Sequence, residues 1–203
     1  MLLPLFPLPV VLFPKSAVPL HIFEERYKIL INRSISDRVE FGVNFVAGAT
    51  VSAVGCSATV RDIAHKYHDG RMDIIVQGER RFKLQQLNPE MAPYPMGTVK
   101  FLDNPEELLD VELASDTIQL FNQLIEIVYK DGRHRVDADL PVREISFLLA
   151  QKVGMELPKR QRLLELDSEN ERLGVLRTYL LDVLPKVERV DEIERIIRGD
   201  GYL

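Results

Sequence analysis

The chain contains 203 residues, of which 46% are hydrophobic and 28% are charged, so it is long enough to bury a sizeable core in one large domain or two small ones. The formal net charge of −5 gives no overall positive field that would attract nucleic acid, and a single cysteine, Cys56, excludes a disulfide within the chain and fits a reducing cytoplasm. No run of about 18 apolar residues occurs, so no transmembrane helix is predicted.

The first 27 residues form an apolar segment with five prolines, Pro4, Pro7, Pro9, Pro14 and Pro19. Proline lacks the backbone N–H that helices and central strands use, and it fixes its own φ angle. We therefore expect this segment to run extended, as neither a helix nor a central strand, with its large side chains buried against another part of the fold. It lacks the basic leading stretch, the unbroken apolar helix and the cleavage pattern of a signal peptide, so the sequence predicts a cytoplasmic protein.

Residues 1–103 otherwise read mainly as strands. One short helix is predicted from Glu24 to about Ile35, and its apolar face is formed by Ile22, Tyr27, Ile29, Leu30 and Ile31. Glycine in His68-Asp69-Gly70-Arg71 indicates a turn, and a proline-containing loop is expected over 88–95. The predicted strands are Phe41–Val46, Cys56–Ala64, Met72–Val76, Arg81–Leu87 and Gly97–Leu102, with Gly78 separating the third from the fourth. Short strands with regular turns favour a closed or nearly closed β structure.

Residues 104–203 read as helices that would form a small bundle. Apolar residues at spacings of three and four predict two long stripes: Ala114, Ile118, Phe121, Ile125 and Val128, and then Leu173, Leu176, Leu180, Val183, Val187 and Val190. A shorter stripe is formed by Val142, Ile145, Leu149 and Val153. The predicted starts are Pro105-Glu106-Glu107, Pro141, Pro158 and the capping box Ser168-Glu169-Asn170-Glu171; the predicted ends include Asp131-Gly132 and Gly154. Pro185 predicts a kink or a break near Leu184.

Three blocks of sequence resemble the N-terminal domain of Lon proteases, a substrate-recognition module. They are the opening segment ending in Pro19-Leu20-His21-Ile22-Phe23-Glu24, the series Gly55-Cys56, Asp69-Gly70-Arg71, Gly78 and Arg81-Phe82, and the late segment Arg160–Leu166 with Glu171-Arg172-Leu173. The resemblance implies an α+β fold in which an N-terminal β pseudo-barrel similar to PUA-type domains, residues 1–103, precedes a C-terminal α-helical bundle, residues 104–203.

The resemblance also implies a function. The chain lacks the Gly-x-x-x-x-Gly-Lys-Ser/Thr string that cradles phosphates in ATPases of this kind, and its serines and lysines show no motif like the Ser-Lys dyad of Lon. It therefore resembles a stand-alone, non-catalytic module without cofactor or metal. Its expected partners are unfolded or exposed polypeptide segments, with a protease or chaperone acting in trans. The residues that match the family, expected to be mainly structural with a candidate binding role, are His21, Phe23, Glu24, Tyr27, Asp69, Gly70, Arg71, Gly78, Arg81 and Phe82.

Two other classes of function stay open from the sequence. Arg80, Arg81 and Lys83 beside Phe82 form a basic cluster that could touch RNA phosphates on a PUA-like scaffold, but the sequence favours the structural interpretation, in which Arg81 pairs with Glu24 or Asp69 inside the fold. A hydrolase without a recognisable motif is the other alternative, because fold does not decide function.

The remaining titratable groups favour structural roles. His65 and His68 lie three apart in a strand that enters a turn, a spacing that places them on opposite faces and disfavours a shared metal. Cys56 is expected to be a small buried residue. The carboxylate pairs are expected at helix starts and on the surface: Glu24-Glu25, Glu106-Glu107 and Asp191-Glu192. The end of the last apolar stripe, beyond Pro185, is a candidate contact surface.

Overall fold

The computed structural model of the chain divides into two compact units. It describes residues 1–88, 93–130, 134–137 and 144–199, without the side chains of 193–199. The first unit, here called the barrel unit, contains Met1–Asp103 and Glu156–Glu165. The second, the helical unit, contains Asn104–Met155 and Leu166–Leu203. None of the helices among the described residues combines the length and the apolar character required to cross a bilayer.

A closed ring of strands forms the barrel unit. The strands and the helix of its first part are β1 Leu2–Leu8, β2 Ala17–Ile22, α1 Glu25–Asp37, β3 Phe41–Ala47, β4 Thr50–Lys66, β5 Met72–Asn88 and β6 Met96–Phe101. The sheet order is β2-β5-β4-β3-β1-β6, and β6 also pairs with β5, which closes the ring. The second half of β5 pairs with β6, whereas its first half pairs with β2. The predicted α+β class with an N-terminal pseudo-barrel is confirmed.

The first strand corrects one prediction. β1 lies between β3 and β6, although its prolines indicated that this segment could not be a central strand. The ladder to β6 uses the first half of β1 and ends where the N–H of Leu5 donates to the carbonyl of Pro95, while the ladder to β3 begins at Leu5 opposite Gly42. Successive residues of a strand turn their N–H groups to opposite sides. Pro4 therefore faces β3 before that ladder begins, and Pro7 faces β6 after that ladder has ended, so neither proline removes a bond the sheet needs.

A second correction concerns the length of the hairpin strands. Met72–Val76 and Arg81–Leu87 were expected as two strands, but they form the single 17-residue β5, paired with the equally long β4 through several register shifts. Gly78 lies inside β5 without interrupting it. A Cβ atom at Gly78 would lie 2.1 Å from the carbonyl oxygen of Phe13, so the glycine permits a close backbone approach.

The core of the barrel unit contains the side chains of the opening segment, as expected. Leu3, Leu5 and Phe6 are buried, and the ring of Phe6 packs on that of Tyr27 in α1 at 4.1 Å between centroids. The predicted helix over 24–35 is confirmed as α1, but Ile29 on its expected apolar face is exposed.

Helix α4, Leu157–Glu165, also packs on the barrel. It begins within one residue of the start predicted at Pro158. The guanidinium of the buried Arg81 donates to the carbonyl of Leu164 at 3.1 Å, and the amide of Gln161 donates to the carbonyl of Val54 at 3.0 Å. These bonds satisfy backbone carbonyls at the end of the helix and in β4.

The helical unit is built from α2 Val111–Tyr129, α3 Ile145–Ala150 and α5 Glu169–Gly199. The predicted stripes are confirmed in their central parts: Ala114, Ile118, Phe121, Ile125, Leu173, Leu176 and Leu180 are buried. Their ends differ, because Val128 and Val190 are exposed. The predicted helix end at Asp131-Gly132, the predicted start at Pro141 and the stripe residue Val142 lie outside the described residues.

The predicted helix start at Pro105-Glu106-Glu107 is wrong. Helix α2 begins six residues after Pro105, with the Asp110 carboxylate accepting the N–H of Leu113 at 2.9 Å as its N-cap. The Glu107 carboxylate instead lies at the first residues of α5, where it accepts bonds from the Ser168 hydroxyl and the Glu169 N–H. Burial by itself raises the pKa of Glu107, but these bonds outweigh it and hold the pKa below its usual value. Ser168 also accepts the N–H of Glu171, as the capping box predicts.

A buried charged network ties α3 to α5. Arg172, 1% exposed, donates to both the carboxylate of Glu169 and the hydroxyl of Ser146, at 2.7 and 2.9 Å. The same carboxylate accepts the N–H of Ser146 at 2.8 Å. The remaining guanidinium nitrogen donates to the carbonyls of Leu166 and Asp167 just before α5. All charges of this network are therefore paired and hydrogen-bonded, as burial requires.

Helix α5 continues through Pro185 without the predicted break. The residue four positions earlier, Leu181, would normally receive the N–H that proline lacks. Both residues are exposed, so water can hydrate the free carbonyl on that side of the helix.

Candidate functional site

The residues that the sequence resemblance singled out fall into two groups, and the first gathers at one corner of the barrel unit. The end of β2, the start of α1 and the turn between β4 and β5 meet there. The imidazole of His21 binds the carboxylate of Asp73 through Nδ1 at 2.5 Å, and the hydroxyl of Tyr67 donates to the other oxygen of Asp73 at 2.8 Å. Phe23 stacks on His21 at 6.0 Å between centroids and is 60% exposed. We call His21, Phe23, Tyr67 and Asp73 the rim cluster.

The electrostatics of the rim cluster indicate a fixed negative charge. The hydrogen bond from His21, followed by that from Tyr67, holds the pKa of Asp73 below its usual value. The bond to Asp73 raises the pKa of the Tyr67 hydroxyl, because ionisation would remove the donor and place two negative charges together. Both neighbours donate to one carboxylate, so His21 Nδ1 does not accept the proton of the Tyr67 hydroxyl, and the two bonds fix the orientation of both side chains.

The turn beside the rim cluster is stabilised locally. Asp69 accepts the backbone N–H of Arg71 and pairs with its guanidinium, and these contacts lower the pKa of Asp69. Gly70 has a φ of 84°, as the turn prediction requires. Glu24 pairs with Arg26 at 2.7 Å. The expected partnership of Arg81 with Glu24 or Asp69 is therefore replaced by these local pairs and by the bond from Arg81 to α4.

Two aromatic residues of the opening motif differ in their surroundings. Both Phe23 and Tyr27 were expected to be mainly structural. Tyr27 is buried against Phe6, whereas Phe23 projects from the surface at the rim cluster. An exposed phenylalanine held by a neighbouring ring is available for contact with another molecule.

The second group of matching residues lies inside the fold. Gly78, Arg81 and Phe82 are buried, and Cβ atoms at Gly42 or Gly55 would lie under 3 Å from the Phe82 ring. These residues therefore set the packing of the barrel.

The basic cluster beside them is not an open cationic surface. Arg81 is buried, and Arg80 pairs with Glu40 at 3.1 Å while covering the ring of Phe101 at 3.9 Å. Arg80 and Lys83 are both exposed, and Lys83 makes no ion pair among the residues that the structure describes. This arrangement gives phosphates less access than the sequence indicated.

The single thiol and the histidine pair take the places expected for structural residues. Cys56 is fully buried in β4, and His65 packs edge-on against Tyr67 at 4.3 Å between centroids. Within the ranges that the structure describes, no three His, Cys, Asp or Glu side chains lie close enough to hold a metal ion.

An apolar groove opens at one side of the barrel unit, where prolines of the opening segment meet α1 and two strand ends. Its volume is about 520 Å³, within the range of small-ligand sites. We call it the proline groove, and it is lined by Pro7, Pro9, Arg26, Tyr27, Val46, Gly48, Val51, Leu87 and Pro95. Arg26 lies over the ring of Tyr27 at 4.6 Å and is the charged side chain among the described residues of this lining.

A second groove lies at the other end of α1, where β3 and β4 separate. Its volume is about 570 Å³. We call it the edge groove, and it is lined by Ser34, Ile35, Arg38, Val39, Thr59, Val60, Arg61, Asp62 and Ile63. Sequence reasoning missed both grooves, because each joins residues from separate segments. The prolines of the opening segment are visible in the sequence, whereas the exposure of Ile35 and Ile63 is known only from the structure.

Comparison with known proteins gives one family. A profile of the ATP-dependent protease La (LON) substrate-binding domain matches residues 2–182. The Lon protease of Flavobacterium johnsoniae is 24% identical over 98% of this chain, and that of Cytophaga hutchinsonii is 29% identical over 64% of it. The chain spans only 26% and 16% of the length of these two relatives.

Two solved structures of Lon N-terminal domains share the fold of this chain. The Lon N-terminal domain protein from Xanthomonas campestris superposes with a TM-score of 0.68 and 24% identity, covering 88% of this chain and 98% of that one. The N-terminal domain of the Mycobacterium avium complex Lon protease gives a TM-score of 0.69 and 15% identity, covering 90% of this chain and 99% of that one. At these identities the likeness concerns the fold.

Proposed function

The chain belongs to the family of LON substrate-binding domains, and from this premise we propose that it binds exposed apolar segments of polypeptides and performs no reaction on them. The family match over residues 2–182 is the observation that carries the proposal. The two curated Lon proteases extend far beyond the matched region. We assign cleavage to parts of those proteins that this chain does not match, and we expect a protease or chaperone to receive what this module holds.

The proline groove is the site that suits such a ligand. Its prolines form a stiff apolar surface that loses little conformational freedom when it is covered. Burying two aliphatic side chains of a ligand there contributes about 1.5–3 kcal/mol each. The ordering of a flexible ligand opposes this gain, so weak binding with low sequence selectivity is expected.

Binding to an unfolded protein tests the proposal. Fluorescently labelled casein, which has little stable structure, is titrated with the chain, and polarisation reports binding. Leu87→Asp places a carboxylate in the proline groove and should weaken binding about fivefold or more, because the charge must be desolvated. Leu2→Asp is the matched control: Leu2 is 42% exposed and Leu87 40%, both lie in strands, and Leu2 is not among the residues that line the groove.

Two outcomes would contradict the proposal. One is the absence of casein binding by the wild-type chain, and the other is an equal loss in both variants. The claim that no reaction occurs has its own test, which is incubation of casein with the purified chain in the presence and absence of ATP. We expect no new fragments on a denaturing gel, and ATP-dependent fragments would show that the chain is an enzyme.

A further inference from the structure

The far half of β4 has a free edge. The ladder between β3 and β4 ends with Phe41 opposite Ala58, whereas β4 continues to Lys66 and pairs only with β5 among the described strands. From Arg61 onward every residue of β4 is exposed. A strand edge of this kind presents unpaired N–H and C=O groups at the spacing of another strand.

The edge groove gives access to these backbone groups. Five consecutive residues of β4, Thr59 to Ile63, line it. A register shift between Val60 and Asp62 interrupts the strict alternation of side chains there, and the contact with five consecutive residues places the groove along this part of the strand. The five residues extend over roughly 17 Å at the rise of a β-strand. The opposite wall is the end of α1 and the residues that follow it.

The side chains around the edge specify the chemistry of an occupant. Ile35, Val39 and Ile63 are each more than a third exposed, which is unusual for three large apolar residues lining one groove. Arg38 and Arg61 flank them, and neither makes an ion pair within the described part of the chain. The one carboxylate of the lining, Asp62, accepts the N–H of Ile63 at 2.8 Å. The edge groove therefore has an apolar surface flanked by two positively charged side chains.

The other free edge of the sheet is less suited to pairing. β2 is hydrogen-bonded to β5 on one side only, and Pro19 stands in its middle. Proline on an edge strand removes a donor and blocks the addition of a further strand. The far half of β4 contains no proline. Its register shifts near Val60 and Ile63 limit the length over which a partner can stay in register, which favours a short ligand over a second copy of the sheet.

We propose that a short extended segment of a bound polypeptide adds to the far edge of β4 as a further strand, with apolar side chains against Ile35, Val39 and Ile63 and a carboxylate facing Arg38 and Arg61. This inference rests on the proposed polypeptide binding and names its mode and preferred sequence chemistry: β-branched or other apolar residues next to an acidic one. Main-chain hydrogen bonds supply the affinity, and Arg38 and Arg61 supply the preference for an acidic residue.

Backbone-modified peptides test the mode of binding. The probe is a labelled ten-residue peptide of alternating valine and threonine with a glutamate at each end. Two further versions carry N-methyl groups on every second residue, one version on each edge of the extended peptide. Strand addition uses one edge only, so one methylated version should bind about tenfold more weakly while the other retains its affinity. Equal behaviour of the two methylated peptides would overturn the proposal.

Charge reversal tests the place of binding. The double variant Arg38→Glu and Arg61→Glu should weaken binding of the unmodified peptide about fivefold, because attraction to its glutamates becomes repulsion. Lys100→Glu, an exposed cation of β6 outside the edge groove, is the control and should have no effect. In the presence of peptide, hydrogen exchange should slow at amides within Thr59–Lys66, and exchange that is unchanged there would count against the edge as the site.

The two proposals fail in different ways. If casein binds and Leu87→Asp weakens it, but no peptide binds the edge, the proposed function stands and the strand addition is wrong. If neither casein nor the peptide binds, both are wrong.

Discussion

The barrel unit and the helical unit each bury an arginine side chain, Arg81 in the first and Arg172 in the second. Arg81 of the barrel unit reaches a backbone carbonyl at the end of α4, within a fold already closed by strand ladders. Arg172 of the helical unit holds a carboxylate, a hydroxyl and two carbonyls around the start of α5. The barrel unit is closed by strand ladders, and its buried Arg81 connects β5 to α4. The helical unit depends on specific charged side chains in its interior.

Among the tests of this difference, the removal of Arg172 should have the largest effect on stability. Arg172→Ala leaves the Glu169 carboxylate buried without its cation and should lower the free energy of unfolding by about 3–5 kcal/mol. Arg177→Ala in the same helix is the control, because Arg177 and its partner Asp116 are both about two-fifths exposed, and its effect should stay below about 1 kcal/mol. Denaturant unfolding followed by circular dichroism measures both. Similar losses in the two variants would break the comparison.

A glycine pair probes backbone packing in each unit. Gly78→Ala brings a Cβ to 2.1 Å from the Phe13 carbonyl, a backbone atom that cannot rotate away, and should destabilise by about 3 kcal/mol. Gly174→Ala in α5 meets no atom within 4 Å and should stabilise by about 0.5–1 kcal/mol, because alanine favours the helix. The thermal midpoints should move in opposite directions; a neutral Gly78→Ala would show that the strand and the opening segment are not tightly apposed.

Pro185 tests the effect of a missing backbone N–H on the stability of the helical unit. Pro185→Ala restores an N–H inside α5 and should raise the free energy of unfolding by about 2 kcal/mol, after allowing for the greater freedom of alanine in the unfolded chain. Glu188→Ala, at another exposed position of the helix, should change it by no more than about 0.5 kcal/mol. Chemical denaturation compares the two. A destabilised Pro185→Ala would indicate that the proline shapes the helix for packing.

The smallest expected effect concerns the rim cluster. His21→Ala removes the largest cause of the low pKa of Asp73, so the pKa should rise toward the ordinary aspartate value. In the wild type, the stability that Asp73 contributes is complete above the pKa of this carboxyl in the unfolded chain, and it is lost as the pH falls through the lower folded pKa. Carboxyl NMR titration measures the change, and Asp69, whose pKa depends on Arg71, is the internal control. An unchanged Asp73 titration would contradict the assignment.

Local patterns predicted much of the fold. The helix over 24–35, the turn at Gly70 and the buried stripes of α2 and α5 follow from spacings within a few residues of each other, and those spacings are visible in the sequence. The central position of β1 was missed because its prolines are harmless only when the ladders on its two sides are offset. The helix start near Pro105 was misplaced because the Glu107 carboxylate accepts the N–H of Glu169 at the start of α5, 62 residues later in the chain.

The candidate site was less accessible to sequence reasoning. The motif around His21 and the Asp69–Arg71 turn were singled out, and the structure places them beside one another. Their role in binding stays a prediction. The proline groove and the edge groove could not be inferred, because a groove is defined by where separate segments stop pairing, and single-sequence patterns carry no such information.

The position of β1 has a consequence for biogenesis. This strand is synthesised before the two strands that flank it, which end only at Ala47 and Phe101. Until then its apolar side chains lack their native neighbours, and pairing over such sequence distances is slow. A nascent copy thus displays the kind of segment that a mature copy is proposed to capture. Folded molecules would then bind unfolded copies of the same chain. The refolding yield should therefore fall as folded protein is added to the mixture.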